Sequence, residues 1–159
     1  MEPEHLVKEY ACGPELLREA VVGLQDEHLD AVPVPGKWSI RQVICHLADC
    51  EIVYADRIKR VLAEENPTIS GLCPDAFQRA LSYDQRDVGN ELDAIQATRR
   101  QITQILAQVD VERFQRTAVD SEDGPLTLET LLERITRHIP HHITFIQEKR
   151  SAMGVSQTQ

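Results

Sequence analysis

The sequence predicts an all-α protein built as a four-helix bundle, and composition, periodicity and chain length all favour this architecture. Leu, Ala, Ile, Glu, Gln and Arg dominate the 159 residues, whereas aromatic residues make up only 4%. Such a composition favours helix over sheet. Four segments repeat apolar residues every three or four positions, which is the period of a helix with one buried face. The length suits a single domain, expected to cover residues 1–159.

The first predicted helix covers residues 3–24, and a turn region follows it. The pair Gly13-Pro14 lies inside this helix and is expected to kink or split it, because proline removes one backbone hydrogen bond. The next segment, DAVPVPGK, combines prolines with a glycine and is therefore expected to be irregular.

The second predicted helix begins at Ser39 and runs to about Leu62. Ser39 and Gln42 fit a capping box, in which the hydroxyl accepts a backbone N–H and the glutamine side chain reaches back. Residues 66–82 then form a long connection, with a short helical turn expected near residues 75–81.

The third predicted helix covers residues 84–109 and the fourth covers residues 127–152, where Gly154 is a plausible stop. Residues 110–126 between them are charged and contain a Gly-Pro pair, so a small hairpin can form there. The long connections before and after the third helix allow a chain path other than simple up-down-up-down alternation.

Charge and cysteine content restrict the function classes. A net charge of −9 makes binding to nucleic acid or to an anionic membrane unfavourable. No apolar run is long enough to span a bilayer, and the first residues do not resemble a signal peptide, so a cytoplasmic protein is expected. The four cysteines form no CxxC pair and are expected to stay reduced, with Cys45 and Cys50 as small buried residues.

The candidate functional residues are histidines on the apolar stripe of the fourth predicted helix. His138 and His142 occupy stripe positions that otherwise carry Leu or Ile, and their imidazoles lie one turn apart, close enough to share one ion. His141 is rotated by about 100° onto the solvated face and is not expected to be a ligand. Pro140 is expected to bend the helix between the two inward histidines. The stripe consists of Leu128, Leu131, Ile135, His138, His142 and Ile146.

A third ligand is needed, because two imidazoles alone hold a divalent metal weakly. His46 lies on or beside the buried face of the second predicted helix, and this placement makes it the third candidate. Asp49 and Cys50 follow it by three and four residues, so either could add a fourth ligand. Asp49 could instead orient a ligating imidazole. His5 and His28 lie in a helix end and in a polar turn, respectively, and are not expected to take part.

Two stretches of the chain resemble the DinB-like superfamily, the four-helix family of damage-inducible and YfiT-like metal enzymes. They are KWSIRQVICHLADCE, residues 37–51, and GPLTLETLLERITRHIPHHITFIQ, residues 124–147. The resembling features are a Trp-Ser start to the second helix and a His-Leu-Ala-Asp within it. A Thr-Leu start to the fourth helix and a His-x3-His followed by Gln complete the set.

The resemblance implies a bundle with up-down-down-up topology, often as a homodimer. It implies a divalent metal, zinc or nickel, held by His46, His138 and His142, the three histidines that periodicity places inward. It also implies a small-molecule substrate and no nucleic-acid partner. Related families include hydrolases and S-transferases that use a low-molecular-weight thiol.

Three functional interpretations remain open on the sequence alone. Three protein ligands leave a coordination position for water or a thiol, so either metal-dependent hydrolysis or thiol transfer fits. No residue stands out as a separate general acid or base. The alternatives are a non-catalytic metal-binding or structural dimeric protein of the stress response, and a metal-free bundle whose inward histidines hydrogen-bond one another.

Overall fold

The computed structural model describes residues 2–155, so the predicted boundaries 1–159 reach beyond it at both ends. Four long and two short helices account for most of this range. Three short strands form a sheet in the order β1-β2-β3, with β1 parallel to β2 and β2 antiparallel to β3. The elements are α1 Pro3–Val21, α2 Asp26–Asp30, α3 Ile40–Ala63, β1 Thr68–Ile69, α4 Pro74–Ala80, α5 Val88–Leu106, β2 Thr117–Asp120, β3 Gly124–Thr127 and α6 Leu128–Ala152.

The four long helices form two parallel pairs. Arg150 in the last turn of α6 donates a hydrogen bond to the carbonyl of Val22, directly after the end of α1, over 3.0 Å. The carboxyl ends of α1 and α6 therefore lie together. Lys59, near the end of α3, donates to the side chain of Gln101, near the end of α5, over 2.6 Å. The helices α3 and α5 therefore also run in the same direction.

The two pairs run in opposite directions. Arg18, near the end of α1, forms an ion pair with Asp93, near the start of α5. Each long helix packs against its own pair partner and against one helix of the other pair, α1 against α5 and α3 against α6. The order along the chain is up-down-down-up, as the family resemblance implies. No helix between residues 2 and 155 is both long and apolar enough to cross a bilayer.

Side-chain caps set the starts of three long helices. The Ser39 hydroxyl accepts the Gln42 N–H, and the Gln42 side chain accepts the Ser39 N–H over 2.8 Å, which confirms the predicted capping box. Thr127 caps α6 through its hydroxyl, close to the predicted start. Asp87 accepts a backbone N–H at the start of α5, so this helix begins at Val88 rather than at residue 84.

The connections differ from the prediction in three places. Helix α1 ends at Val21, earlier than residue 24, because Gly23 turns the chain with a φ of 77°. The short helix α2 contains His28, where a polar turn was predicted. Strand β1 was not predicted, whereas the hairpin of β2 and β3 and the short helix α4 were.

One buried guanidinium contacts all four long helices. Arg99 of α5 is 1% exposed and donates from Nη1 to the carbonyl of Tyr10 in α1 over 2.7 Å. Its Nη2 donates to the Glu51 carboxylate in α3 over 2.6 Å and to the carbonyl of Ile135 in α6 over 2.8 Å. The carbonyl of Tyr10 is available because Pro14, four residues on, has no N–H to donate.

The pair Gly13-Pro14 does not split α1, which is continuous from Pro3 to Val21. Arg99 replaces the hydrogen bond that Pro14 cannot make. A β-carbon at position 13 would lie 2.1 Å from the Arg99 Nη1 atom, so the guanidinium can approach only because this residue is glycine.

Replacing Gly13 by alanine tests this arrangement. In an ordinary helix interior alanine is about 1 kcal/mol more favourable than glycine. Here we expect Gly13→Ala to lower the free energy of unfolding by about 1–3 kcal/mol, because the added carbon overlaps a buried side chain whose Nη1 and Nη2 atoms are both hydrogen-bonded. Urea denaturation measures the change. Gly89→Ala in the first turn of α5 is the control, since a β-carbon there would lie 3.1 Å from its nearest neighbour, the Asp87 Oδ1 atom, compared with 2.1 Å for the closest contact at Gly13. Unchanged or raised stability in Gly13→Ala would contradict the argument.

Candidate metal centre

The three histidines singled out from the sequence lie together between α3 and α6. The Nε2 atom of His138 is 3.2 Å from Nε2 of His46 and 3.1 Å from Nε2 of His142. The three ring centroids are 4.6–5.0 Å apart. Because α6 presents two histidines one turn apart and α3 presents one opposite them, the rings converge at one point in the bundle. Their role as metal ligands remains a prediction.

Pro140 does not interrupt the face that carries the two late histidines. Helix α6 is continuous from Leu128 to Ala152. The rings of His138 and His142 lie 4.6 Å apart, as expected for neighbours on one helix face. His141 is exposed, and its ring contacts Phe145 with centroids 4.8 Å apart, so it lies beside the cluster rather than within it.

Burial keeps the three imidazoles uncharged at neutral pH. It lowers the pKa of His138 and of His142 to about 3, and the neighbouring histidine rings add to the effect in both cases. Burial also lowers the pKa of His46, although the carboxylate of Asp49 opposes the shift. Each ring therefore retains one nitrogen lone pair that can bind a cation.

Hydrogen bonds among the three histidines cannot satisfy all of their ring nitrogens. A neutral imidazole has one N–H donor and one acceptor nitrogen, and Nε2 of His138 faces two other Nε2 atoms at once. Nε2 of His138 can therefore form at most one well-aligned hydrogen bond with the other two Nε2 atoms. The Nδ1 atoms of His138 and His142 are also buried without a hydrogen-bond partner in the described chain. Leaving such groups unsatisfied costs roughly 1–3 kcal/mol each.

The spacing of the nitrogens fits a shared ion. Nitrogen ligands at the usual ~2.0–2.1 Å from a tetrahedral zinc ion lie about 3.3–3.4 Å from one another. The two Nε2 separations centred on His138, 3.1 and 3.2 Å, are close to this value. Small side-chain movements would bring these donors to bonding distance.

Cys50 is the better of the two candidates for a fourth ligand. Its Sγ atom is 3.7 Å from both ring nitrogens of His46, one turn earlier on α3. Potential ligand atoms of Cys50, His46 and His138 all lie within 4.8 Å of one another. A thiolate at ~2.3 Å and an imidazole at ~2.0–2.1 Å on one tetrahedral ion are about 3.5–3.6 Å apart. Burial raises the pKa of this thiol to about 12, so without a cation it is protonated.

Asp49 has a different role from the two considered for it. Its carboxylate accepts hydrogen bonds from the hydroxyl of Tyr83 over 2.7 Å and from two guanidinium nitrogens of Arg86 over 2.9 and 3.0 Å. These bonds hold the segment before α5 against α3. The ring of Tyr83 then contacts Trp38, which packs edge-on against His46 with centroids 5.3 Å apart. Asp49 thus supports the wall around His46.

A pocket of about 200 Å³ lies beside His142. His142 is part of its wall, and the aromatic rings of Trp38 and Phe145 line it together with Lys149. Of these three neighbours, only Trp38 was noted in the sequence, as part of the Trp-Ser start of the second helix. Lys149 carried a signal, because it lies seven residues after His142 and three after Ile146, in line with the apolar stripe. The complete lining is Gly36, Lys37, Trp38, Val43, His142, Phe145, Glu148 and Lys149.

Two bacterial proteins are similar in sequence to this chain over most of its length. It is 31% identical over 144 residues to "Putative metal-dependent hydrolase YfiT" of Bacillus subtilis, covering 90% of this chain and 81% of the relative. It is also 31% identical over 134 residues to "Putative metal-dependent hydrolase OB0782" of Oceanobacillus iheyensis, covering 84% and 77%, respectively.

A solved structure of YfiT from Bacillus subtilis has the same fold. It superposes with a TM-score of 0.90 at 28% sequence identity, over 97% of this chain and 89% of that one. It is described as "a probable metal-dependent hydrolase with an unusual four-helix bundle topology". The model of the DinB superfamily matches residues 11–146. This chain therefore belongs to the DinB superfamily.

Proposed function

We propose that this protein is a metal-dependent hydrolase of small molecules in which His46, His138 and His142 hold one divalent ion, zinc or nickel. The observation that carries the proposal is that Nε2 of His138 lies 3.2 Å from Nε2 of His46 and 3.1 Å from Nε2 of His142. The names of the relatives support it, because two of them over most of this chain are called metal-dependent hydrolases.

In this proposal, different parts of the site hold the ion and admit the substrate. A divalent ion in such a site supplies Lewis acidity and an activated water for attack on an ester or amide bond. The three imidazoles are kept neutral by burial and held on two packed helices, so their lone pairs are already directed inward. Cys50 adds a soft donor on the core side. The pocket whose wall includes His142 can admit a small substrate.

Thiol-dependent S-transfer, which the family resemblance implies, is the competing chemistry for the same site. A pocket of about 200 Å³ suits a small acceptor as well as a small ester. We favour hydrolysis because the relatives are named for it. The homodimer implied by the resemblance and the cytoplasmic location expected from the sequence belong to the same proposal, and a non-catalytic metal-binding protein is its main rival.

Metal content tests the ligand set. Protein purified without an affinity tag and analysed by element-resolved mass spectrometry should contain about one divalent ion per chain. We expect His138→Ala to lose most of it, because Nε2 of His138 faces both other rings. His141→Ala, one helix position from His142 but exposed, should keep the wild-type content. A His138→Ala variant with full metal content would contradict the assignment.

Cobalt substitution tests the contribution of Cys50. A cobalt–thiolate bond gives an intense near-ultraviolet charge-transfer band that imidazole ligands do not give. We expect this band in the Co²⁺-loaded protein and its loss in Cys50→Ala, with cobalt still bound by the histidines. Cys45→Ala is the matched control, since Cys45 is equally buried in α3 but its sulfur faces the carbonyl of Tyr83. Absence of the band from cobalt-loaded wild type would exclude Cys50 as a ligand.

Turnover separates the two chemistries. Zinc- or nickel-loaded protein should hydrolyse members of a panel of small chromogenic esters, and both a chelator and His138→Ala should abolish the hydrolysis. The same preparations are assayed with low-molecular-weight thiols and an electrophilic acceptor. Thiol-dependent transfer without any ester hydrolysis would replace the hydrolase proposal by a transferase. Loaded protein that turns over neither panel would favour the metal-binding role.

A further inference from the structure

A buried lysine in the wall of the histidine pocket lacks an anionic partner. Lys149 of α6 is 3% exposed, yet it lines the pocket beside His142. Its ammonium donates one long hydrogen bond, over 3.4 Å, to the carbonyl of Phe145, and lies 5.9 Å from the centroid of that ring. No carboxylate within residues 2–155 forms an ion pair with it. Two of its three N–H donors therefore remain for something in the pocket.

The charges around the pocket favour a singly charged anion there. A buried ammonium without a counter-charge is costly, and burial accordingly lowers the pKa of Lys149. Lys37, from the segment before α3, adds a second positive charge to the wall, whereas Glu148 of α6 adds one exposed negative charge. Two cations and one carboxylate leave a net charge of about +1, which suits a carboxylate better than a dianion.

The remaining wall is suited to an apolar or aromatic body. Trp38 and Phe145 present ring surface, and Val43 adds an aliphatic side chain. Lys149 follows His142 by seven residues, which places the two Cα atoms about 10 Å apart along one face of α6. Long side chains on a helix lean towards its amino end, so the ammonium lies nearer to the histidines than this figure. A molecule of one ring with a short acidic arm fits this span.

We infer that the pocket binds a small carboxylate with an aromatic or apolar body, its anionic group on the ammonium of Lys149 and its body between Trp38 and Phe145. The inference names a substrate class for the hydrolase proposed above, and its catalytic meaning rests on that proposal. Binding itself does not require the metal. The protein as a whole has a net charge of −9, but the wall of this pocket is positively charged and therefore favours an anion over a neutral molecule.

Trp38 reports on this pocket, because it is the only tryptophan of the chain and lies in the pocket wall. The probes are phenylacetate and phenylacetamide, which have the same size and ring but differ in charge. Each is titrated into chelator-treated and zinc-loaded protein while Trp38 fluorescence is followed. We expect phenylacetate to bind at least about tenfold more tightly than phenylacetamide in both preparations, since a hydrogen bond to a charged group contributes this much or more.

Two substitutions assign the preference to Lys149. Lys149→Met keeps the length of the side chain and should abolish the preference for phenylacetate, and Lys149→Gln provides a second variant should the first fold poorly. Lys8→Met removes the same charge from an exposed residue of α1 that does not line this pocket, and it should leave the affinity for both probes unchanged.

Equal affinities for the two probes in wild-type protein, or a preference that survives in both Lys149 variants, would overturn the inference. A preference seen only in zinc-loaded protein would also overturn it, because the carboxylate would then be on the ion. A failure of the proposed function would give a different experimental result. Protein that binds no metal but retains the Lys149-dependent preference would retain the carboxylate pocket and lose the hydrolase.

Discussion

The arrangement of this bundle depends on one buried guanidinium. Arg99 connects α5 to a carbonyl in α1, a carboxylate in α3 and a carbonyl in α6. Two of its partners lie close to the histidines along the chain, since Glu51 follows His46 by five residues and Ile135 precedes His138 by three. The same contact that holds α3 against α6 therefore fixes the relative positions of the imidazoles. Gly13 and Pro14 supply the space and the acceptor for it.

The histidine cluster is a second place where polar groups occupy core positions, and there the protein alone does not satisfy them. Arg99 and Glu51 form a paired, hydrogen-bonded unit that stabilises the packing of the helices. The three imidazoles instead face one another through Nε2 atoms that cannot all be hydrogen-bonded at once. The Nδ1 atoms of His138 and His142 have no hydrogen-bond partner within residues 2–155. The two sites therefore differ in that both terminal nitrogens of Arg99 are hydrogen-bonded to partners on the other helices, whereas the histidine nitrogens mainly face one another. The cationic side chains near the site show the same contrast, because Arg86 forms ion pairs with Asp49 and Glu91, whereas no carboxylate within residues 2–155 pairs with Lys149.

The sequence predicted the elements that depend on local signals. The capping box at Ser39, the continuous stripe of α6 and the inward placement of His138 and His142 follow from spacing alone, and the structure has all three. The placement of His46 opposite them needed the family resemblance as well as periodicity. What could not be predicted depends on contacts between distant segments. The role of Gly13-Pro14 required knowledge that Arg99 lies beside it, and the partners of Asp49 come from a connection without periodicity.

X-ray absorption at the zinc edge of metal-loaded protein tests the central claim most directly, because it reports the atoms around the ion without any assumption about activity. The account predicts a first shell containing three imidazole nitrogens at about 2.0–2.1 Å, with the outer-ring scattering that histidine produces, and one sulfur at about 2.3 Å. A shell of oxygen atoms without imidazole scattering would contradict it, since the ion would then be bound elsewhere than at His46, His138 and His142.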